Sequence, residues 1–137
     1  MCLATRYDKV YRGKVGYKIL RERWDGSLFT GMYGVGEVRF YEDGYTVDPN
    51  TDAIPSPSWD GGVNFTYPAG FHVFTRLTDA RKVQRKSSGY GTIYKVAFRN
   101  VVAYGEVGWR FEPIYIKQNS FSTPTVVATQ CRVIRKV

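Results

Sequence analysis

A chain of 137 residues and 15.7 kDa amounts to one domain, two at most, and can bury about two thirds of its extended surface without disulfide or metal staples. Its composition, 43% hydrophobic and 23% charged, excludes intrinsic disorder, and no apolar run is long enough for a transmembrane helix. Twenty basic residues against 12 acidic leave a net charge of +8, and 16% of the chain is aromatic with 11 tyrosines, so solubility and attraction to anionic partners are built in.

The first predicted strand is Val15-Gly16-Tyr17-Lys18-Ile19-Leu20-Arg21, with Val15, Tyr17 and Ile19 on one face. Asp25-Gly26 is a tight hairpin turn into a second strand over Ser27–Tyr33. Gly34-Val35-Gly36 is a loop, Glu37–Tyr41 a third strand, and Asp43-Gly44 another turn. Residues 48 to 69 are rich in Pro, Gly, Ser and Asp and are expected to form one long loop, in which Trp59, Phe65 and Tyr67 either close over a ligand or, by preference, pin the loop to the core. Asn64-Phe65-Thr66 matches a glycosylation acceptor by chance.

Gly70–Thr75 is a short strand. Arg76–Lys86 is the one convincing helix: Thr75 or Thr78 caps it, Leu77, Ala80 and Val83 form a narrow apolar stripe, and Ser87-Ser88-Gly89 ends it. Thr92–Arg99 and Val101–Tyr104 are strands, Gly105–Gly108 is a turn, and Trp109–Lys117 is a strand broken by Pro113 at an edge or bulge. Ser120–Pro124 is a loop and Thr125–Val137 the last strand. The expected fold is α+β: a mostly antiparallel sheet of about six to eight strands with one short helix, in a single domain.

The positive charge is spread over three segments: Arg6 to Arg23, Arg76 to Lys86, and Arg132 to Lys136. Without a run of five or six like charges, a basic tail is not indicated, and a solvated basic surface competes evenly with a true anion-binding face. No basic–apolar–small leader opens the chain, so a cytoplasmic location and free thiols at Cys2 and Cys131 are expected. Cys131 sits in an apolar stretch and reads as a small buried hydrophobe. Cys2 would become an N-terminal nucleophile if the initiator Met were removed, given a partner base and an oxyanion hole.

The order Gly16-Tyr17-Lys18-Ile19, Gly70-Phe71-His72-Val73-Phe74, Asp79-Ala80, Ile93-Tyr94-Lys95-Val96, Val102-Ala103-Tyr104-Gly105-Glu106 and a closing Ala-x-x-Cys-Arg-Val-x-Arg strand from Ala128 resembles small phage-encoded proteins with a Gly-Phe-His signature before a short helix. The resemblance covers most of the chain. It implies a viral origin, the cytoplasm of an infected bacterium, and a role against host defence. The strand order is also similar to ADP-ribosyltransferase-type folds. That resemblance would make His72 the nucleotide-contacting histidine, Tyr17 or Tyr94 the stacking aromatic and Glu106 the ribose-orienting glutamate, although Glu106 falls in an expected turn.

A single histidine removes most parts of a Ser-His-Asp triad, a two-histidine phosphoesterase or a His/Cys metal site. No Cys-x-x-Cys spacing exists, and Gly31–Gly36 lacks the Lys-Ser/Thr of a phosphate loop. No metal or cofactor is therefore expected. His72 is the best polar candidate, set against a satisfied strand histidine. Asp25, Asp43, Asp60 and Asp79 lie at turns or a helix start, where carboxylates are structural.

Three functions remain. A binding module for an anionic partner, either a nucleotide signal or an acidic surface of a host protein, would use Tyr17, Lys18, Arg21, Phe71, His72, Arg132 and Lys136. A nucleic-acid-binding protein would lay Arg81, Lys82, Arg85 and Lys86 along a backbone. An enzyme would work through His72 and Glu106, or through Cys2. Binding is the favoured reading, with no membrane partner and with a homodimer permitted by sheet edges and exposed aromatics.

Overall fold

The computed structural model describes residues 2–30, 38–41, 44–57, 62–87 and 91–137. Among these are ten strands and one α-helix: β1 (Leu3–Arg6), β2 (Val15–Glu22), β3 (Leu28–Thr30), β4 (Arg39–Phe40), β5 (Thr46–Val47), β6 (Ile54–Pro57), β7 (Val63–Tyr67), β8 (Phe71–Phe74), α1 (Leu77–Lys86), β9 (Thr92–Arg110) and β10 (Ser120–Lys136). Eight belong to one antiparallel sheet in the order β1-β9-β10-β8-β2-β3-β4, with β5 on β10; β6 and β7 form a separate two-stranded ribbon. The fold is α+β, mostly antiparallel, with a single short helix.

The sheet closes on itself. Beyond its place in the linear order, β2 also pairs with β9 from Val15↔Ala97 to Leu20↔Thr92, so β2, β9, β10 and β8 form a circuit. The β8–β2 link is the thinnest, a single pairing at Tyr17↔Phe74. Inside the circuit Leu20, Phe71, Val73, Tyr94, Val96, Phe98, Val126, Ala128 and Cys131 pack into one apolar cluster together with Phe40 of β4.

The outer face is buried too, in two patches. Ala80 and Val83 of α1 seat the helix on Ile19, Phe74 and Ile93. Tyr67 of β7 packs with Leu3, Ala103, Val107 and Val127, which ties the β6–β7 ribbon to the sheet. Hence β2 buries both faces: Gly16, Lys18 and Leu20 point inward while Ile19 lies under the helix. Of the face expected to be shared by Val15, Tyr17 and Ile19, Tyr17 and Ile19 pack together on the helix side, whereas Val15 is exposed.

Four other expectations are corrected. Residues 48 to 69 are not one loop, because β6 and β7 pair from Ile54↔Tyr67 to Pro57↔Val63; an edge ribbon tolerates the prolines that suggested a loop. The separate strands and the Gly105–Gly108 turn are one 19-residue strand, β9. Asn100 sits at φ 61° where β9 bends, and its amide bonds the Thr129 hydroxyl. Gly105 allows close approach rather than a turn, since a Cβ there would lie 1.8 Å from the Thr5 carbonyl oxygen of β1. Ser120–Pro124 is not a loop but the start of β10, so Pro113 lies in the β9–β10 connection instead of in a strand.

The helix begins at Leu77 behind Arg76, which makes no side-chain cap, so neither Thr75 nor Thr78 caps it; Ser87 closes the other end by bonding the Val83 carbonyl. Asp25 accepts from the Ser27 amide and hydroxyl at the β2–β3 turn, where Gly26 takes φ 82°. The expected features at Tyr33, Gly34–Gly36, Asp43, Trp59, Asp60 and Ser88-Gly89 lie outside the described residues. No described helix is long and apolar enough to cross a membrane.

Candidate anion-binding cleft

Cross-strand register places three residues in one row. Lys18 of β2 is opposite Tyr94 of β9, and Tyr94 is opposite Lys136 of β10. Directly paired residues keep their Cβ atoms about 4.5–5.5 Å apart, so a buried lysine, a tyrosine and an exposed lysine follow one another across the sheet.

The buried member, Lys18, is structural. Its Nζ donates to the His72 carbonyl at 2.9 Å and lies 5.9 Å from the centre of the Phe71 ring. Because β2 and β8 share one backbone pairing, the lysine supplies the donor that a longer ladder would have given that carbonyl. Desolvation pulls its pKa below the usual lysine range.

At the exposed end of the row lies a cleft of about 540 Å³, within the range of about 300–1,000 Å³ typical of ligand sites. Tyr94, Phe40, Leu28 and Val133 contribute apolar lining. Arg39, Arg135 and Lys136 line it as cations, with Asp25 as the carboxylate. Asp25 accepts from Ser27, and those bonds, with a smaller contribution from the Arg39 charge, lower its pKa, so one ionised carboxylate stands among the three cations. The Arg39 guanidinium stacks on Tyr41 at 4.9 Å, and Tyr41 is 58% exposed. The Tyr94 hydroxyl reaches Glu22 at 3.4 Å; burial and that carboxylate raise its pKa. The cleft therefore offers cationic and aromatic groups in one concavity, the chemistry of an anion site.

The residues expected to bind an anion do not share this concavity. Lys136 lines it, and Lys18 stands behind it in the same row. Phe71 is in the barrel interior. Tyr17 packs on the helix side with Ile19 and Phe74. Arg21 pairs with Phe29 of β3. Arg132 is exposed and stacks on Tyr45, which also carries Arg99. His72 lies in the opposite patch, where its Nε2 is 3.0 Å from the Tyr67 hydroxyl.

That hydroxyl also accepts from the Leu3 amide at 2.8 Å and interacts with the Cys2 thiol, so Cys2, Tyr67 and His72 do form one group. Tyr67 is 1% exposed and burial pushes its pKa up to about 12. Burial, aided by Lys18 and the terminal amine, lowers His72 to about 3, so its ring is neutral. Glu106 is elsewhere: it bonds Tyr7, whose pKa desolvation and this carboxylate raise to about 12. The Cys131 thiol is buried and pushed up to about 11 by desolvation.

On α1, Lys82 stacks on Phe121 at 4.1 Å and Lys86 donates to the Asn119 side chain, while Arg81 and Arg85 stay exposed. Phe121 ends a ladder of stacked rings that runs through Phe111 and Trp109 to Phe74. The helix thus spends part of its charge on its own sheet. No group of three or more metal-ligating side chains occurs among the described residues. Sequence reasoning missed Arg39, Tyr41 and Arg135 as site residues. The available signal was the alternation of Arg39 and Tyr41 beside the Asp25-Gly26 turn, but only the closed circuit brings β4 to the end of β10.

Comparison with protein-family models, curated proteins and solved structures gave no match for this chain.

Proposed function

We propose that this protein is a binding module that holds an anionic ligand or partner surface in the cleft between β4 and the end of β10. In the phage setting that the Gly-Phe-His resemblance implies, holding that ligand withdraws it from a host process. The observation that carries the reading is the convergence of Arg39, Arg135 and Lys136 around an aromatic floor, three cations against one carboxylate, Asp25, among the described lining residues. Charge-assisted contacts of this kind contribute about 1.5–3 kcal/mol each. Binding is favoured over catalysis because the His72 ring serves Tyr67 in a buried patch, and Glu106 serves Tyr7.

Titration with tripolyphosphate at low salt tests the reading. The wild-type chain should bind it, and the double variant Arg39→Glu/Lys136→Glu should lose at least about tenfold in affinity, the equivalent of one strong contact. Equal binding by the wild type and the double variant would place the anion elsewhere and overturn the assignment. Substituting Arg81 and Arg85 by glutamate should leave this binding unchanged; loss there would favour the helix and a nucleic-acid backbone instead.

A further inference from the structure

The cleft lies between two strand edges, that of β4 and that of the end of β10, which carry no further strand among the described residues. β4 pairs with β3 through Leu28↔Phe40 and Phe29↔Arg39, and among the described residues no strand pairs with its other edge. β10 pairs with β9 as far as Lys136, whereas its opposite edge is covered by β5 only at Gln130 and Cys131. The outer edge over Arg132–Lys136 is uncovered among the described residues. Such edges present backbone N–H and C=O groups in a row and are templates for an added strand.

Resting on the reading of the cleft as an anion site, we infer that its occupant is an extended acidic peptide segment of a partner protein, which enters the seam as an additional strand between β4 and β10. The two edges supply main-chain pairing, and the cleft supplies selectivity by side-chain alternation. Residues of the peptide that face the floor meet Tyr94, Phe40 and Val133; acidic residues meet Arg39, Arg135 and Lys136. A small phosphate ligand would use the cations and leave both edges unpaired. A second copy of this chain is disfavoured, because it would bring a net charge of +8 and the same three cations to the seam.

The test uses a fluorescent octapeptide of alternating Glu and Val, and the same peptide N-methylated at alternate backbone nitrogens. Both have the same side chains, but the second cannot pair along one edge. Anisotropy titrations should show the first binding and the second weaker by about tenfold or more. Hydrogen exchange should slow at the amides of Arg39, Phe40 and Arg132–Lys136 when the first peptide is bound. Equal affinity for the two peptides would refute strand addition. So would failure of both peptides under conditions where tripolyphosphate binds, and that outcome would leave the anion site standing with a small ligand. Failure of the peptides and tripolyphosphate alike would remove both readings.

Discussion

The two ends of the β2–β9–β10 rows are built on opposite principles. Around His72 the polar groups bond one another: the Leu3 amide, the Tyr67 hydroxyl and the imidazole form a chain, and the His72 carbonyl takes the Lys18 ammonium. Around Lys136, among the described residues, the edges of β4 and of Arg132–Lys136 carry no added strand, and three cations line the cleft against one carboxylate, Asp25. The lesson is that the number of candidate residues in a region is a poor guide to function. His72 and Lys18 are chemically the more suggestive pair, yet they close the barrel. The less conspicuous Arg39 and Arg135 are the ones that line the open cleft.

Acid should expose this difference most strongly. His72 is held near 3 in the folded protein and returns to about 6.5 when unfolded. The unfolded state therefore binds the extra proton first, and stability falls as the pH drops below about 6.5, flattening below about 3. The full loss from this group is about 5 kcal/mol, at about 1.4 kcal/mol per pH unit. Urea midpoints from pH 7 to pH 4 should fall less for His72→Gln, which keeps a side chain able to bond Tyr67. Parallel slopes for the two proteins would mean that the sealed patch admits a proton, and the contrast with the cleft would fail.

Lys18 gives a second test with the opposite range. Its folded pKa lies below 10.5, so the unfolded chain again binds more protons, and the contribution of Lys18 to stability should rise with pH until about 10.5 is reached. The slope from this residue cannot exceed about 1.4 kcal/mol per unit. Comparing the wild type with Lys18→Met between pH 8 and 10.5 isolates it from the other titrating groups: the wild type should gain on the variant as pH rises. A gap that stays constant would mean that the ammonium is solvated and belongs functionally with the cleft.

These two residues also show what a sequence can reveal. The hairpin at Asp25-Gly26, the helix with its Ala80 and Val83 stripe, and the inward row Tyr94, Val96 and Phe98 were legible, because each depends on local chemistry or on a period of two. The extent of β9 was not. Asn100, Gly105 and Gly108 are turn residues by habit, and only the pairing of β9 with β1 and β10 makes a bend at one of them and a close contact at another. Prolines in β6 and β10 misled in the same way. The cleft was least legible of all, since it is defined by where pairing stops: β4 is two residues long, and nothing in Arg39-Phe40 announces that, among the described residues, one of its sides carries no strand.

The smallest effect is expected at Trp24, and it sharpens the comparison from the open side. Trp24 is 99% exposed at the β2–β3 turn, next to Asp25, Gly26 and Ser27 of the cleft lining. A tryptophan that buried its ring would cost about 3–5 kcal/mol on truncation to alanine. Here almost no ring surface leaves water on folding, so Trp24→Ala should shift stability by no more than about 0.5 kcal/mol in urea unfolding. A fall of several kcal/mol would show that the turn is packed in solution and that the seam beside it is not open. A change within the expected band leaves an exposed indole one residue before the turn that lines the cleft, an aromatic group that the fold itself does not use.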